Sequence, residues 1–371
     1  MTIQADAALT DNDKISRIIQ LFFAAKEANF KDDGNGVDLS VFFRSSSDNF
    51  DRNKIVNFAN LSREGRKTAG LKITTDNLTV TINNIALNDN AATVNLTELY
   101  TYQIAGLQDP SSQRFHYNVY MTKGDGNWLI SRIDTDNEAY TNDLGSDSFN
   151  VDRTLQEGLA SIEAASSKNT VLPKTPGPTE ADDVSAKTFY AINREDAASY
   201  AFKNALTYNS AQFISWAPSG GDCMDFASQC VWYGMGGRET SASTCETPMT
   251  ALWNMASDGN PFTSSFISMG SFYAMINTDY PETTSHLSGD CYAQGVVADA
   301  CPGDVIQLYN GSGWFHTYVV CSVSGAPGSR MPSDIQISAH NSDIQNVNFY
   351  TQWAAGHPNA YRLVHINGAF Y

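Results

Sequence analysis

The chain has 371 residues, 42% of them hydrophobic and 11% aromatic, which fits a globular protein long enough for two ordinary domains. A net charge of −17 offers nothing to offset phosphate repulsion, so nucleic acid and anionic lipid are excluded as partners. No apolar run reaches the roughly 18 residues that a spanning helix needs.

The first residues lack the basic and apolar regions of a secretory signal. Thr2–Thr10 is small and polar, as processed ends are, so the numbering is read as starting at a mature-like end of a secreted or cell-surface protein. Residues Asp11 to Phe30 carry Ile15, Ile18, Ile19, Phe22 and Phe23 at helical spacing. Leu39–Phe43 is an apolar patch before a polar loop. From Leu71 the period changes to two. Val94, Leu96, Glu98, Tyr100 and Tyr102 alternate with Asn95, Thr97, Leu99 and Thr101, and Phe115, Tyr117, Val119 and Met121 alternate with His116, Asn118 and Tyr120. Asp125-Gly126 between such runs signals a hairpin into Trp128–Ile133. A helix followed by long antiparallel strands gives an α+β domain over 11–140, similar to the cystatin-like cone of nuclear-transport-factor-like domains. It holds a lone His116 and no paired acid and base, so an accessory role is expected.

Residues 141–186 form the join. Thr154–Ala164 predicts a short helix. Lys168–Ser185, with Pro173, Pro176 and Pro178, predicts an extended, semi-stiff linker.

The second domain, 187–371, opens with a helix capped by Asn193 and running to Asn209. The stretch from Gly220 to Cys230 is a glycine turn entering a helix. Phe226, Ala227, Cys230 and Val231 mark its buried face, and Gly236 and Gly237 mark its end. Asp222 sits at the N-cap position, which leaves Cys223 in the first turn, where the macrodipole favours a thiolate. A buried free cysteine is more often a small core residue. The glycine approach and the histidines downstream favour a nucleophile instead. Trp253–Ala256 and Phe272–Ile276 read as short helices. Strands follow at Val305–Leu308, Trp314–Val320, Ile335–Ala339 and Tyr361–Ile366.

A thiol nucleophile needs a base, and the base needs an orienter. His316 opens a strand after a glycine-rich turn, walled by Trp314 and Phe315, and is expected to face the helix mouth as base. The next strand ends in His340-Asn341-Ser342-Asp343. His340 is favoured as third member, with Asn341 and Asp343 as alternatives. His286, His357 and His365 lack such company. An oxyanion hole would use the Cys223 N–H and a side-chain donor, Tyr200 or Tyr208, with Trp314 a further substrate contact. The six cysteines (223, 230, 245, 291, 301 and 321) show no C-x-x-C pair, so no zinc knuckle is implied. A Cys291–Cys301 bridge is possible outside the cytosol. No metal or organic cofactor is expected.

Several segments carry a family resemblance: Tyr190–Arg194, Gly221–Gln229, Pro302–Leu308, Phe315–Thr317 and Ser338–Asp343. Residues 189–370 resemble the putative amidase domain of Gram-positive cell-surface proteins. That family is a papain-like branch related to NlpC-type cell-wall peptidases. The resemblance implies a papain-like α+β cysteine hydrolase with Cys223 as nucleophile, His316 as base and His340 as third member, acting on a peptide-like amide such as those of peptidoglycan. Met224 and Asp225 depart from the family's usual Thr or Ser, then Asn. Asp225 is expected to bring a negative charge that opposes thiol ionisation. A catalytically weak module binding cell wall or peptide through the same cleft, and an acyltransferase, are the rival readings.

Overall fold

The computed structural model describes residues 9–31, 36–44, 49–166, 170–178, 185–209, 212–213, 221–238, 249–255, 263–354 and 360–371. Gly220, Cys245, Ala256 and His357 lie outside them. The chain is α+β and divides into two compact units, Met1–Gln156 with Thr351–Gly356, and Glu157–Tyr350 with His357–Tyr371.

In the first unit, α1 (Asp11–Phe30) starts with a reciprocal cap: Thr10 Oγ1 accepts from the Asp13 N–H, and the Asp13 carboxylate accepts from the Thr10 N–H. Its apolar stripe, Ile15 to Phe23, is buried. The predicted polar loop after Phe43 is corrected: Asn49–Thr68 is a second helix, α2. Its core side chains Ile55, Phe58, Ala59 and Leu61 are scattered among polar residues, which hid the period. Strands β1 (Ile73–Asn88), β2 (Ala91–Ile104), β3 (Ser111–Gly124) and β4 (Asn127–Thr135) form an antiparallel meander. Asp125 and Gly126 both take positive φ, 50° and 82°, as a two-residue hairpin turn between twisted strands requires. Inside, the Lys26 ammonium lies 2.7 Å from both oxygens of Glu98, which also accepts from the Tyr117 hydroxyl at 2.8 Å. His116 is not alone: its Nδ1 pairs with Asp136 at 2.7 Å on the surface.

Helix α3 (Val151–Ser166) covers the predicted short helix. The stretch after it is not a free spacer where it is described. Leu172 N–H donates to the Cys291 carbonyl, and β5 (Thr175–Pro176) pairs in parallel with β7 (Thr278–Asp279).

The second unit begins with β6 (Phe189–Ala191) and α4 (Arg194–Asn204), which ends five residues before the predicted Asn209 stop. Helices α5 (Asp222–Gly234), α6 (Ser264–Ile267) and α7 (Met269–Ile276) follow. The predicted helix at Trp253 is instead a tight turn, closed by backbone bonds between Thr250 and Trp253. Six strands complete the unit: β8 (His286–Cys291), β9 (Val305–Tyr309), β10 (Trp314–Val323), β11 (Ile335–Ala339), β12 (Asp343–Asn348) and β13 (Ala360–Phe370). The sheet runs β12-β11-β10-β9-β13, all antiparallel, and β13 also pairs with β8 and β6. Phe226, Ala227, Cys230 and Val231 of α5 share one core with Val305, Val319, Cys321 and Val364 of the sheet. Helix α5 thus lies across one face of this sheet.

Candidate active site

The first turn of α5 is built from outside the helix. Gly221 is the N-cap and supplies no side chain, so the prediction of Asp222 as cap is corrected. Asp222 is the first helical residue, and its N–H is met by Asn341 Oδ1 at 3.3 Å. Asn341 reaches it because it adopts φ 70° just past the end of β11, a conformation asparagine tolerates. This frees the Asp222 carboxylate, whose Oδ2 lies 2.7 Å from His340 Nδ1, with both side chains 1% exposed. His340 Nε2 lies 2.9 Å from the Asn204 carbonyl at the end of α4. Phe226 stacks on that ring at 4.0 Å and Tyr208 lies against it at 4.2 Å. Cys223 follows Asp222 in this turn, buried to 5% exposure and not in a disulfide.

His340 is therefore placed at the helix mouth but bonds Asp222 and Asn204, not His316. His316 itself is placed otherwise than expected. Trp314 pairs with Tyr309 and His316 with Leu308, so Phe315 is an extra residue in the strand. Beyond this bulge Thr317 faces α5, where its Oγ1 lies 3.9 Å from Met224 Sδ, and its cross-strand neighbour Gln307 reaches the same sulfur at 3.8 Å. Adjacent residues of a strand point to opposite faces. His316 therefore lies on the face away from α5, fully buried, with its ring 4.8 Å from that of Tyr318. The bulge at Phe315 sets this alternation. Trp314 stays on the α5 face and stacks under the Arg362 guanidinium at 3.8 Å.

The predicted oxyanion donors are committed elsewhere. Tyr208 OH donates to Asp343 Oδ1 at 3.0 Å, which also accounts for Asp343. Tyr200 OH donates to Gln229 Oε1 at 3.0 Å. Asp225 is fully buried, and Gln229 Nε2 donates to its Oδ2 at 2.6 Å. Burial, then the nearby Asp222 carboxylate, pushes the Asp225 carboxyl well above the usual range. Both effects work against the negative charge expected at this position.

The remaining histidines divide. His286 packs between Tyr280 and Phe370, and burial lowers its pKa. His365 has company that sequence did not suggest: its Nδ1 lies 2.7 Å from Asp304 Oδ2, while Arg194 bonds both Asp304 Oδ1 and His365 Nε2. Cys301, Asp304 and His365 present donor atoms within 4.8 Å of one another, but Arg194 and Arg330 already reach this group. It reads as a clamp joining α4 to β13. Cys291 and Cys301 are both free. Cys291 faces the Tyr273 carbonyl and Cys301 the Asp299 carbonyl and Arg330, so the bridge between them is corrected.

Residues 191–366, which include all of α5 and the strand end bearing His340, match the model of the family described as a putative amidase domain. The match covers this segment of the chain. No curated protein and no solved structure matches the chain. The match points this segment to hydrolysis of amide bonds at the general level. The Asp222–His340 pair and the Asn341 cap were legible only as a cluster of candidates, because the sequence does not say which partner each side chain takes.

Proposed function

We propose that the amidase domain is a cysteine hydrolase acting on a peptide-like amide, with Cys223 as nucleophile. The observation that carries this reading is the His340–Asp222 pair, fixed at 2.7 Å against the turn that holds Cys223. In this reading the Cys223 thiolate attacks the amide carbonyl. His340, drawn with two N–H groups, leaves the Asn204 carbonyl and gives its Nε2 proton to the departing amine. The neutral ring then takes a proton from water, which attacks the thioester, restoring the imidazolium and the thiolate with release of the acid. Asp222 orients the ring throughout. His340 takes the acid–base role first expected of His316, because it lies on the α5 face of the sheet. The helix-then-antiparallel-sheet order supports a papain-like ancestry. Peptidoglycan stem peptides are the first substrates to test, with the protein acting outside the cytoplasm.

A second reading, a binding module using the same cleft, is favoured by one observation. Both His340 nitrogens already lie within hydrogen-bond distance of protein oxygens, those of Asp222 and Asn204. Iodoacetamide labelling separates the two. The hydrolase reading expects Cys223 to be labelled faster than an ordinary exposed thiol at neutral pH, and His340→Ala to remove that advantage while His316→Ala keeps it. Ordinary labelling in the parent protein supports the binding module, and loss of the advantage only in His316→Ala restores His316 as base.

A further inference from the structure

Asp225 is a buried carboxyl for which the proposed mechanism has no use. It lies on the same helix column as Asp222 and Gln229, at spacings of three and four residues. The direction of the hydrogen bonds reaching it is fixed. Asn209 Nδ2 can only donate, and it donates to the Tyr200 oxygen at 3.1 Å. Tyr200 must then spend its own proton on Gln229 Oε1, which leaves the Gln229 amide N–H to donate to Asp225 Oδ2. The other oxygen, Asp225 Oδ1, is buried without a hydrogen-bond partner among the described residues. No Lys or Arg forms an ion pair with Asp225 among the described residues. The titratable groups around it are Asp222 and Cys230 on α5, Tyr200 from α4, Cys321 of β10 beside Cys230, and His340 acting through Asp222. A full negative charge in this place would be both desolvated and set against a second carboxylate.

We propose that Asp225 works as an un-ionised acid, an amide-like positioning residue that ties the first turn of α5 to the Tyr200–Gln229 chain and so holds Asp222 and Cys223 in place. Its neutral form accepts from Gln229 and keeps an O–H, as a carboxamide keeps an N–H, without adding charge beside Asp222. The inference rests on the hydrolase reading only for its effect on turnover; the readouts below hold without it.

The test uses the full chain and Asp225→Asn. A carboxyl kept protonated by the fold makes the folding equilibrium fall with rising pH, by up to tenfold per pH unit, from about pH 4 until the folded group ionises. Asp225→Asn should flatten that fall and unfold no earlier than the parent at pH 7. It should also remove a protonated-carboxyl C=O band in isotope-edited infrared spectra at neutral pH, and it should keep the parent rate of Cys223 alkylation. Asp225→Ala, which breaks the link, should unfold earlier than both. An unchanged pH dependence in Asp225→Asn, the absence of the protonated band in the parent, or equal destabilisation by Asn and Ala would each overturn the proposal.

Discussion

Replacing Asp222 by alanine removes one member of a buried hydrogen-bonded pair and strands the other. Both side chains are 1% exposed and their polar atoms are 2.7 Å apart. Breaking such a pair from one side costs about 3–5 kcal/mol, because the remaining group stays desolvated. Asp222→Asn keeps an oxygen for the His340 Nδ1–H and loses only the charge assistance, a difference of about 1–2 kcal/mol. His340→Ala should cost as much as Asp222→Ala and additionally open space beside Phe226. The double variant removes both members, so its cost should fall short of the sum of the singles by about 2 kcal/mol or more, within the range found for coupled neighbours. Urea titrations followed by circular dichroism give these differences from the midpoints, provided the slopes agree. A loss under about 1 kcal/mol for Asp222→Ala, or single losses that add to within about 0.5 kcal/mol, would refute the pairing.

In the first unit, Glu98→Ala strands the Lys26 ammonium and should cost about 3–5 kcal/mol, whereas Lys26→Met with Glu98→Leu should recover most of that loss in the same urea titration. Gly303 has φ +85° and an added Cβ would lie 2.9 Å from Ala197 Cβ, so Gly303→Ala should lower stability by about 1–3 kcal/mol and loosen the Arg194–Asp304 clamp, visible as a lower thermal midpoint. Cys223→Ala deletes one buried sulfur and should leave the fold intact, with a loss near 1 kcal/mol by thermal unfolding.

What could be read from the chain followed from periodicity and turn chemistry. The α1 stripe, the alternation of β2 and β3 and the Asp125-Gly126 hairpin are local signals, and the structure carries each of them. Helix α2 was hidden because its buried positions are few and its surface is strongly polar. Strands β8 and β12 were hidden for a similar reason: Ser288, Gly289 and Asp290, or Gln345, Asn346 and Asn348, carry little strand propensity, and tertiary pairing holds them in place. At the site, the helix bearing Cys223 was legible from its glycines and apolar spacing. The partner of each polar side chain was not. Whether His316 faces α5 depends on one inserted residue, Phe315, and a bulge leaves no reliable mark in a sequence. Likewise, that Asn341 rather than Asp222 completes the helix start depends on a single left-handed residue 119 positions away.

The central claim is that one sulfur, Cys223, performs amide cleavage. Incubating the full chain with purified peptidoglycan and with a peptide library, and reading the products by mass, tests it most directly. Products with new amine and carboxyl ends are expected from the parent protein and none from the folded Cys223→Ala variant. Cleavage that persists in Cys223→Ala, or a parent protein that leaves both substrates intact, would contradict it.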